Sequence, residues 1–380
     1  MTAARGPLIR WLLSYGTFAV PQAAGPIVFA LLAIPLTGDP GSGAAIVLAI
    51  TVAQVIGAVP IARLGRRYNA VAFLKALVAI RTLALAGVAL LAASDAPFAI
   101  LLAAAALAGL VNGAAFGYLR TVLNHLVEAS RMPRALGMAA TLGEVTFVAA
   151  PVAASLLGTI DAVFALLVLS LLGAAPALLL PRIPHATAPP PPDGRSGMLT
   201  PAILLWLGCT LANSAVVSSI EIGAVSLAMT YGFAPAMGFI FTVALCAASV
   251  AGGIWVSVRN RVANRAVVVV QLALMTTGGA LIAAQLSAAA TIIGAVIVGT
   301  SMAPLSTYYS LMIDALSPSH RKAELFALAR TMNALGIILT SASLTLTSLA
   351  VTQALATALI ATATLAVGIT SLSSRPKRAS

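Results

Sequence analysis

Long apolar runs, each broken by a short turn, fill nearly the whole chain. A membrane-spanning helix needs about 20 mainly apolar residues. Read between the turn signals, the pattern predicts six spans in the first half, at about 11–35, 43–62, 70–93, 97–124, 135–158 and 162–180. Six more follow, at about 202–230, 235–258, 266–287, 290–316, 324–347 and 351–372. The one long polar interruption is Pro181–Pro201, which carries four consecutive prolines from Pro189 to Pro192. Proline donates no backbone hydrogen bond and favours an extended conformation. Lipid satisfies no free backbone group, so this segment is expected to lie in water as a linker between residues 1–180 and 202–380.

Composition agrees with a lipid solvent. Of the 380 residues 61% are hydrophobic and 8% charged, whereas soluble domains carry about 25% charged residues. The run from Trp11 to Ile34 is too long for a signal peptide and reads as the first span. A net charge of +12 in a soluble protein would raise nucleic acid as a partner. Here the basic residues sit between apolar runs, no aromatic-interleaved basic patch occurs, and nucleic acid is not expected. The odd-to-even loops hold Asp39, Asp95 and Asp161 and no Lys or Arg. The opposite side holds Arg63, Arg66, Arg67, Arg131, Arg134, Arg182, Arg195, Arg259, Arg261, Arg265, Arg321 and Lys322. It also holds Arg5 and Arg10 at one end and Arg375, Lys377 and Arg378 at the other. Basic loops mark the cytoplasmic side, which puts both termini and the linker there. An odd number of spans would break this segregation. The expected location is a cell membrane.

A shift of 190 residues lays Gly109 on Gly299, Tyr118 on Tyr308 and Arg131 on Arg321 without a gap. With the central linker, this predicts an all-α membrane protein of twelve transmembrane helices in two pseudo-symmetric six-helix bundles. Cys209 and Cys246 lie inside apolar runs and read as small buried hydrophobes.

Twelve spans, a cytoplasmic linker and cytoplasmic termini resemble the major facilitator superfamily. Between the second and third spans that family carries a loop of the form G-x-L-a-D-r-x-G-r-r. The corresponding stretch here is Ala58-Val59-Pro60-Ile61-Ala62-Arg63-Leu64-Gly65-Arg66-Arg67, in which Arg63, Gly65, Arg66 and Arg67 match. Ala62 replaces the acid that helps lock one conformer in the family, which leaves that latch without its usual carboxylate. Exporters of the family carry G-x-x-x-G-P-x-x-G-G on the fifth span. Thr146, Ala150, Pro151, Ala154 and Ser155 fall in that pattern, and only the proline is identical. The resemblance implies secondary transport by two halves that rock about a central site. It implies a cavity lined by the first, second, fourth and fifth spans and their counterparts. The third, sixth, ninth and twelfth spans would then be scaffold.

Each charge inside a span asks for a reason, because inserting one costs about 2.5–3.5 kcal/mol at mid-membrane. Glu144 lies about nine residues into the fifth span, with Arg120 in the span before it. They make either a structural ion pair or one that opens when Glu144 takes a proton. Glu221 is read as deep in the seventh span with no basic residue near it in sequence. Desolvation of such a carboxyl suits proton coupling; the alternative is a permanently protonated acid or a partner of Arg330. Arg330 itself is expected to snorkel to the interface, Lys75 likewise, and Asp314 to pair with Arg321 or Lys322. Arg81, on an expected scaffold helix, has no account beyond a partner on a neighbouring span. Asn112, Phe116 and Arg120 share one helix face at i, i+4, i+8. Tyr15, Phe18 and Gln22 extend a stripe from Trp11 along the first span. Tyr308 and Tyr309 lie in the tenth span, Asn213 in the seventh and Asn333 in the eleventh. All are cavity candidates, with close packing as the other reading of the aromatics. His125, His185 and His320 show no metal spacing.

No GxxxxGK[ST], HExxH, GxSxG or CxxC motif occurs. ATP is therefore not expected to drive the protein directly, and an enzyme is not expected. The sequence points to a monomeric secondary transporter exchanging a small-molecule substrate and protons across the bilayer, with no cofactor. The first expectation is proton-coupled export of a small, mainly apolar compound. Import or exchange of an organic anion at Arg81, Arg120 and Arg330 stays open, as does a non-transporting membrane sensor or assembly protein.

Overall fold

The computed structural model describes residues 5–38, 42–94, 96–181, 183 and 199–373. Residues 182 and 184–198 of the proline-rich linker, with Arg182, His185 and Arg195, lie outside the described residues, as do Asp39, Asp95, Arg375, Lys377 and Arg378. The helices in chain order are α1 (Arg5–Thr37), α2 (Ser42–Leu64), α3 (Ala70–Ala93), α4 (Phe98–Leu126), α5 (Met132–Gly158), α6 (Ala162–Leu172) and α7 (Ala175–Leu179). They continue as α8 (Pro201–Glu221), α9 (Ala224–Thr230), α10 (Phe239–Arg259), α11 (Arg265–Ala283), α12 (Ala288–Leu316), α13 (Lys322–Leu346) and α14 (Leu349–Ser373). Among the described residues, twelve helical segments are long and apolar enough to cross a membrane. The expected spans are met, with two breaks: the sixth is interrupted between α6 and α7, and the seventh ends at Glu221, with α9 following as a separate short helix.

The chain forms two compact units. Unit 1 comprises residues up to Ala135, Leu142–Met198 and Ser317–Thr331. Unit 2 comprises Leu136–Thr141, Leu199–Leu316 and the chain from Met332 onward. The first turns of α13 thus pack in unit 1, and one stretch of α5 packs in unit 2.

In unit 1 the apolar core draws Ala24, Phe29 and Ala33 from α1, Ile46 from α2 and Val88 from α3. Leu101, Ala154 and Leu169 complete it from α4, α5 and α6. Apart from Leu169, these positions sit toward the acidic-loop end of their helices. Glycine lets α2 and α4 approach closely. A Cβ on Gly57 would stand 2.1 Å from the Leu110 carbonyl oxygen, and one on Gly109 2.2 Å from that of Ile50. Unit 2 repeats the device between α10 and α12, where a Cβ on Gly299 would meet the Leu245 oxygen at 2.3 Å and one on Gly252 the Thr300 oxygen at 2.7 Å. The repeat holds to the residue: α4 (Phe98–Leu126) and α12 (Ala288–Leu316) are 190 apart at both ends. So are the 3-10 turns Ala129–Arg131 and Ser319–Arg321 that follow them.

The basic loops are pinned by caps. Asn69 accepts from the backbone of Val71 and Ala72 at the start of α3 and donates to the Ile183 carbonyl at 2.7 Å. Asn264 accepts from Val267 at the start of α11. Such side chains satisfy helix-end donors that have no intrahelical partner. Cys209 and Cys246 are free thiols; the first is buried as expected and the second only partly.

Candidate functional site

Two polar layers cross unit 1. The inner one is built on Arg81 of α3, which is 3% exposed. Its guanidinium donates through Nη1 to the Phe18 carbonyl at 3.0 Å and to Asn112 Oδ1 at 2.9 Å. Nη2 donates to the Gly173 carbonyl at 3.0 Å, and the group lies 3.9 Å over the Phe18 ring. Asn112 in turn donates to Gln54 Oε1. Local breaks supply these acceptors. Gly173 caps the interrupted end of α6, where carbonyls lack helical partners. All four acceptors in this chain of bonds are neutral. This gives Arg81 its missing account: it bolts α1, α3, α4 and the end of α6 together. It also corrects two expectations, because Phe18 (3% exposed) and Asn112 (5%) are buried in this bolt. The third span is accordingly more than outer scaffold.

The second layer lies toward the basic-loop end. Arg330 of α13 donates through Nη2 to Gln22 Oε1 at 2.6 Å, and its guanidinium sits 4.9 Å over the Phe116 ring. It is half-buried and held in place, which corrects the expectation that it snorkels away. Tyr15 packs against Phe116 at 6.0 Å and stacks on Trp11 at 5.3 Å, while Trp11 Nε1 donates to the Leu119 carbonyl. The Tyr15 phenol lies within electrostatic reach of Arg330, Glu144 and Arg120. Arg120 lies 4.5 Å over Phe326 and donates to Asn124 Oδ1 at 2.6 Å. Close α1–α5 packing brings Glu144 to this layer: a Cβ on Gly16 would touch Leu142 at 3.0 Å and Thr146 Oγ1 at 3.4 Å. Tyr15, Gln22, Phe116, Glu144, Arg120 and Arg330 are therefore brought together. On the fifth-span motif, Ala150 and Ala154 are buried in the core, so small residues there serve close helix contact.

A third cluster closes the basic end of unit 1. Glu324, 1% exposed, takes Arg63 Nε at 2.9 Å and Arg66 Nε at 3.2 Å. Its position in the first turn of α13 also sets its charge against the helix dipole. Gly65 allows the loop to fold here, since a Cβ would stand 2.3 Å from the Phe73 ring and 2.4 Å from the Tyr118 hydroxyl. That hydroxyl donates to the Ala62 carbonyl at 2.8 Å. Arg63 thus meets a carboxylate 261 residues further along the chain, where position 62 has none. Sequence reading passed over Glu324. Its signal was available: an acid three residues beyond Arg321, the one carboxylate in a basic loop of the second half. Gln54 was also passed over, although a lone glutamine in an otherwise apolar span marks a buried polar partner.

In unit 2, Trp206 packs on Tyr308 (5.2 Å, edge-on) and Tyr309 (6.0 Å), and both tyrosines are buried. Asn213 is 7% exposed with its Oδ1 unpartnered; the next residue, Ser214, donates to the Asn333 carbonyl at 2.8 Å. Glu221 corrects the sequence reading of depth. It is the last residue of α8, exposed, and about 30 Å along the helix from Pro201 at ~1.5 Å per residue. Among the described residues no group of His, Cys, Asp and Glu could hold a metal ion.

No curated protein matches the chain. Solved structures do. A bacterial homologue of the iron transporter ferroportin in an outward-facing state superposes with a TM-score of 0.80 at 14% identity, over 95% of this chain and 98% of that one. The E. coli fucose:proton symporter FucP gives a TM-score of 0.77 at 13% identity, over 97% and 99%. The human organic anion transporter MFSD10 (TETRAN) gives 0.73 at 13%, over 97% and 100%. At these identities the likeness is one of fold. The sequence profile of the Major Facilitator Superfamily matches residues 11–341. The chain is thus a multi-pass membrane transporter, not an enzyme, and it belongs to the Major Facilitator Superfamily.

Proposed function

We propose that this protein is a secondary active transporter for a small organic anion with an apolar or aromatic body, with protons exchanged at Glu144. One observation carries the reading: the half-buried Arg330, which donates to Gln22 and lies over Phe116, is gathered with Arg120 and Glu144 around Tyr15. A guanidinium donates two parallel bonds to a carboxylate, and bonds to charged groups are the strong ones. Phe116 and Tyr15 offer the body of such a ligand an apolar wall. Counting Arg81, three buried or half-buried arginines face one carboxylate in this region, a field that favours an anion over a cation. The gate is the Glu324 cluster, which must open for the basic face to open. The basic loops put that face, the linker and both termini on the cytoplasmic side of a cell membrane. Residues 1–180 and 202–380 act as the two rocking halves. Glu221, exposed at the end of α8, is left out of the mechanism. Export of a mainly apolar compound is the second reading, favoured by the small-residue face of the fifth span at Ala150 and Ala154.

The test is transport into proteoliposomes under an imposed pH gradient, with benzoate and its neutral analogue benzamide as probes and lumenal pH as a parallel readout. Benzoate transport should fall about tenfold or more in Arg330→Ala, as expected for losing a charge-assisted bond of about 1.5–3 kcal/mol. Glu144→Gln should abolish benzoate-dependent proton movement. Equal transport of both probes, unchanged in Arg330→Ala, would overturn the anion reading in favour of apolar export.

A further inference from the structure

Unit 2 holds a cavity that the transport reading does not use. It has a volume of about 270 Å³ and lies where α10, the Asn260–Asn264 turn, α11 and α12 meet. Arg259 and Arg261 line its mouth, and Gln271 and Thr307 line its depth. Thr307 is 6% exposed, yet its Oγ1 has no hydrogen-bond partner, and neither has Gln271 Oε1. This is unusual for the chain, where helical threonines such as Thr210, Thr276 and Thr364 return their hydroxyls to the preceding turn. Buried polar atoms without a partner cost free energy unless a ligand satisfies them.

The arginines are disposed for the same ligand. The third basic side chain of the turn, Arg265, is already engaged by the Tyr308 hydroxyl and, at 3.2 Å, by the Thr370 carbonyl. Arg259 rests 5.1 Å over the Trp255 ring, and both Arg259 and Arg261 are exposed. The turn itself is built to hold them, since Asn260 adopts a left-handed conformation (φ 44°) and Asn264 caps α11. Among its lining residues, apolar side chains face outward: Trp255 is 45% exposed, Val262 54% and Val267 38%.

We propose that this cavity binds the phosphate headgroup of an anionic phospholipid. Arg259 and Arg261 contact the phosphate, the Thr307 hydroxyl and the Gln271 amide contact the headgroup polar atoms, and the acyl chains run along Trp255, Val262 and Val267. A soluble phosphate would use the two arginines but leave that apolar margin empty.

The test uses the full chain in detergent micelles, titrated with brominated phosphatidylglycerol, brominated phosphatidylcholine or inorganic phosphate. The readout is quenching of Trp255 fluorescence, identified as the signal lost in Trp255→Phe. Phosphatidylglycerol is expected to quench saturably. The double variant Arg259→Gln/Arg261→Gln should weaken it roughly twentyfold, from about 1 kcal/mol per basic residue at a lipid surface. Thr307→Val, which keeps the side-chain shape, should weaken it severalfold while leaving helix content unchanged. Equal quenching by phosphatidylcholine, or no effect of the double variant, would overturn the site. Inorganic phosphate displacing the lipid at equal concentration would overturn the lipid as its occupant.

Discussion

Units 1 and 2 share their scaffold and differ in their chemistry. Both use reciprocal glycines to bring two helices into backbone contact, Gly57 with Gly109 and Gly252 with Gly299. Both contain a 29-residue helix ending in a 3-10 turn at the same repeat position. The polar residues do not repeat. At the 190-residue shift, Asn112 corresponds to Met302, Phe116 to Ser306 and Arg120 to Ser310. Glu324, which holds the arginines of the first basic loop, corresponds to Arg134. Backbone approach constrains both copies alike, whereas a polar residue is tolerated only where its partners are. The chemistry was therefore free to concentrate in unit 1.

The shared part should break the same way in both units. Gly109→Val and Gly299→Val each push side-chain carbon into a backbone oxygen that already lies 2.2 or 2.3 Å from a Cβ position. Backbone cannot yield as a flexible side chain does. Each variant should lose about 3 kcal/mol or more, at the upper end for overpacking, and the two losses should be similar. Thermal unfolding in detergent followed by circular dichroism measures both. A large loss in one and none in the other would show that the seams are not equivalent.

This shared scaffold is also what sequence alone could reveal. Apolar run length and turn residues delimit spans because the bilayer fixes both, so the fourth span, expected at 97–124, is found at Phe98–Leu126. The break after Glu221 escaped notice because Ile222 and Gly223 leave the apolar run unbroken, and Glu221 was consequently read as deep. Partners across long separations were illegible for a different reason. Arg81 finds Phe18, Asn112 and Gly173 on three other helices, and no local pattern announces which carbonyl a helix break will leave free. Helix-face spacing put Asn112, Phe116 and Arg120 on one face, without showing that Arg81 holds Asn112.

The unshared part should break in unit 1 alone, starting with its bolt. Arg81→Met removes a buried charge, a gain, but strands Asn112 and two carbonyls, each an unsatisfied group worth about 1–3 kcal/mol. The net expectation is a loss of about 2 kcal/mol, seen in the same unfolding measurement. The conservative Arg81→Lys should not rescue it, because one ammonium cannot span acceptors on α1, α4 and α6 that the planar guanidinium reaches at once. Gln271→Met, at the repeat position in unit 2, should leave stability within about 0.5 kcal/mol. Comparable losses at both positions would remove the claim that the bolt is particular to unit 1.

The smallest expected change in stability sits at the gate. Arg63 and Arg66 are 53% and 32% exposed while Glu324 is 1% exposed, so solvent screens one side of the cluster and desolvation taxes the other. Glu324→Gln should cost about 1 kcal/mol or less in global unfolding. If the cluster is the proposed gate, its bonds belong to one conformer, and the effect of their loss on the loop should be larger than that figure suggests. A contact confined to one of two states shifts their ratio by its full free energy, tenfold for every 1.4 kcal/mol. Amide hydrogen exchange over Gly65–Asn69 and the first turn of α13 should therefore quicken severalfold, while the Gly57–Gly109 seam stays protected. Arg63→Gln should quicken the same amides, and the double variant should add little to either single change, as coupled partners require. Additive effects would mean that Arg63 and Glu324 act on different contacts, and the basic end of unit 1 would then lose its gate.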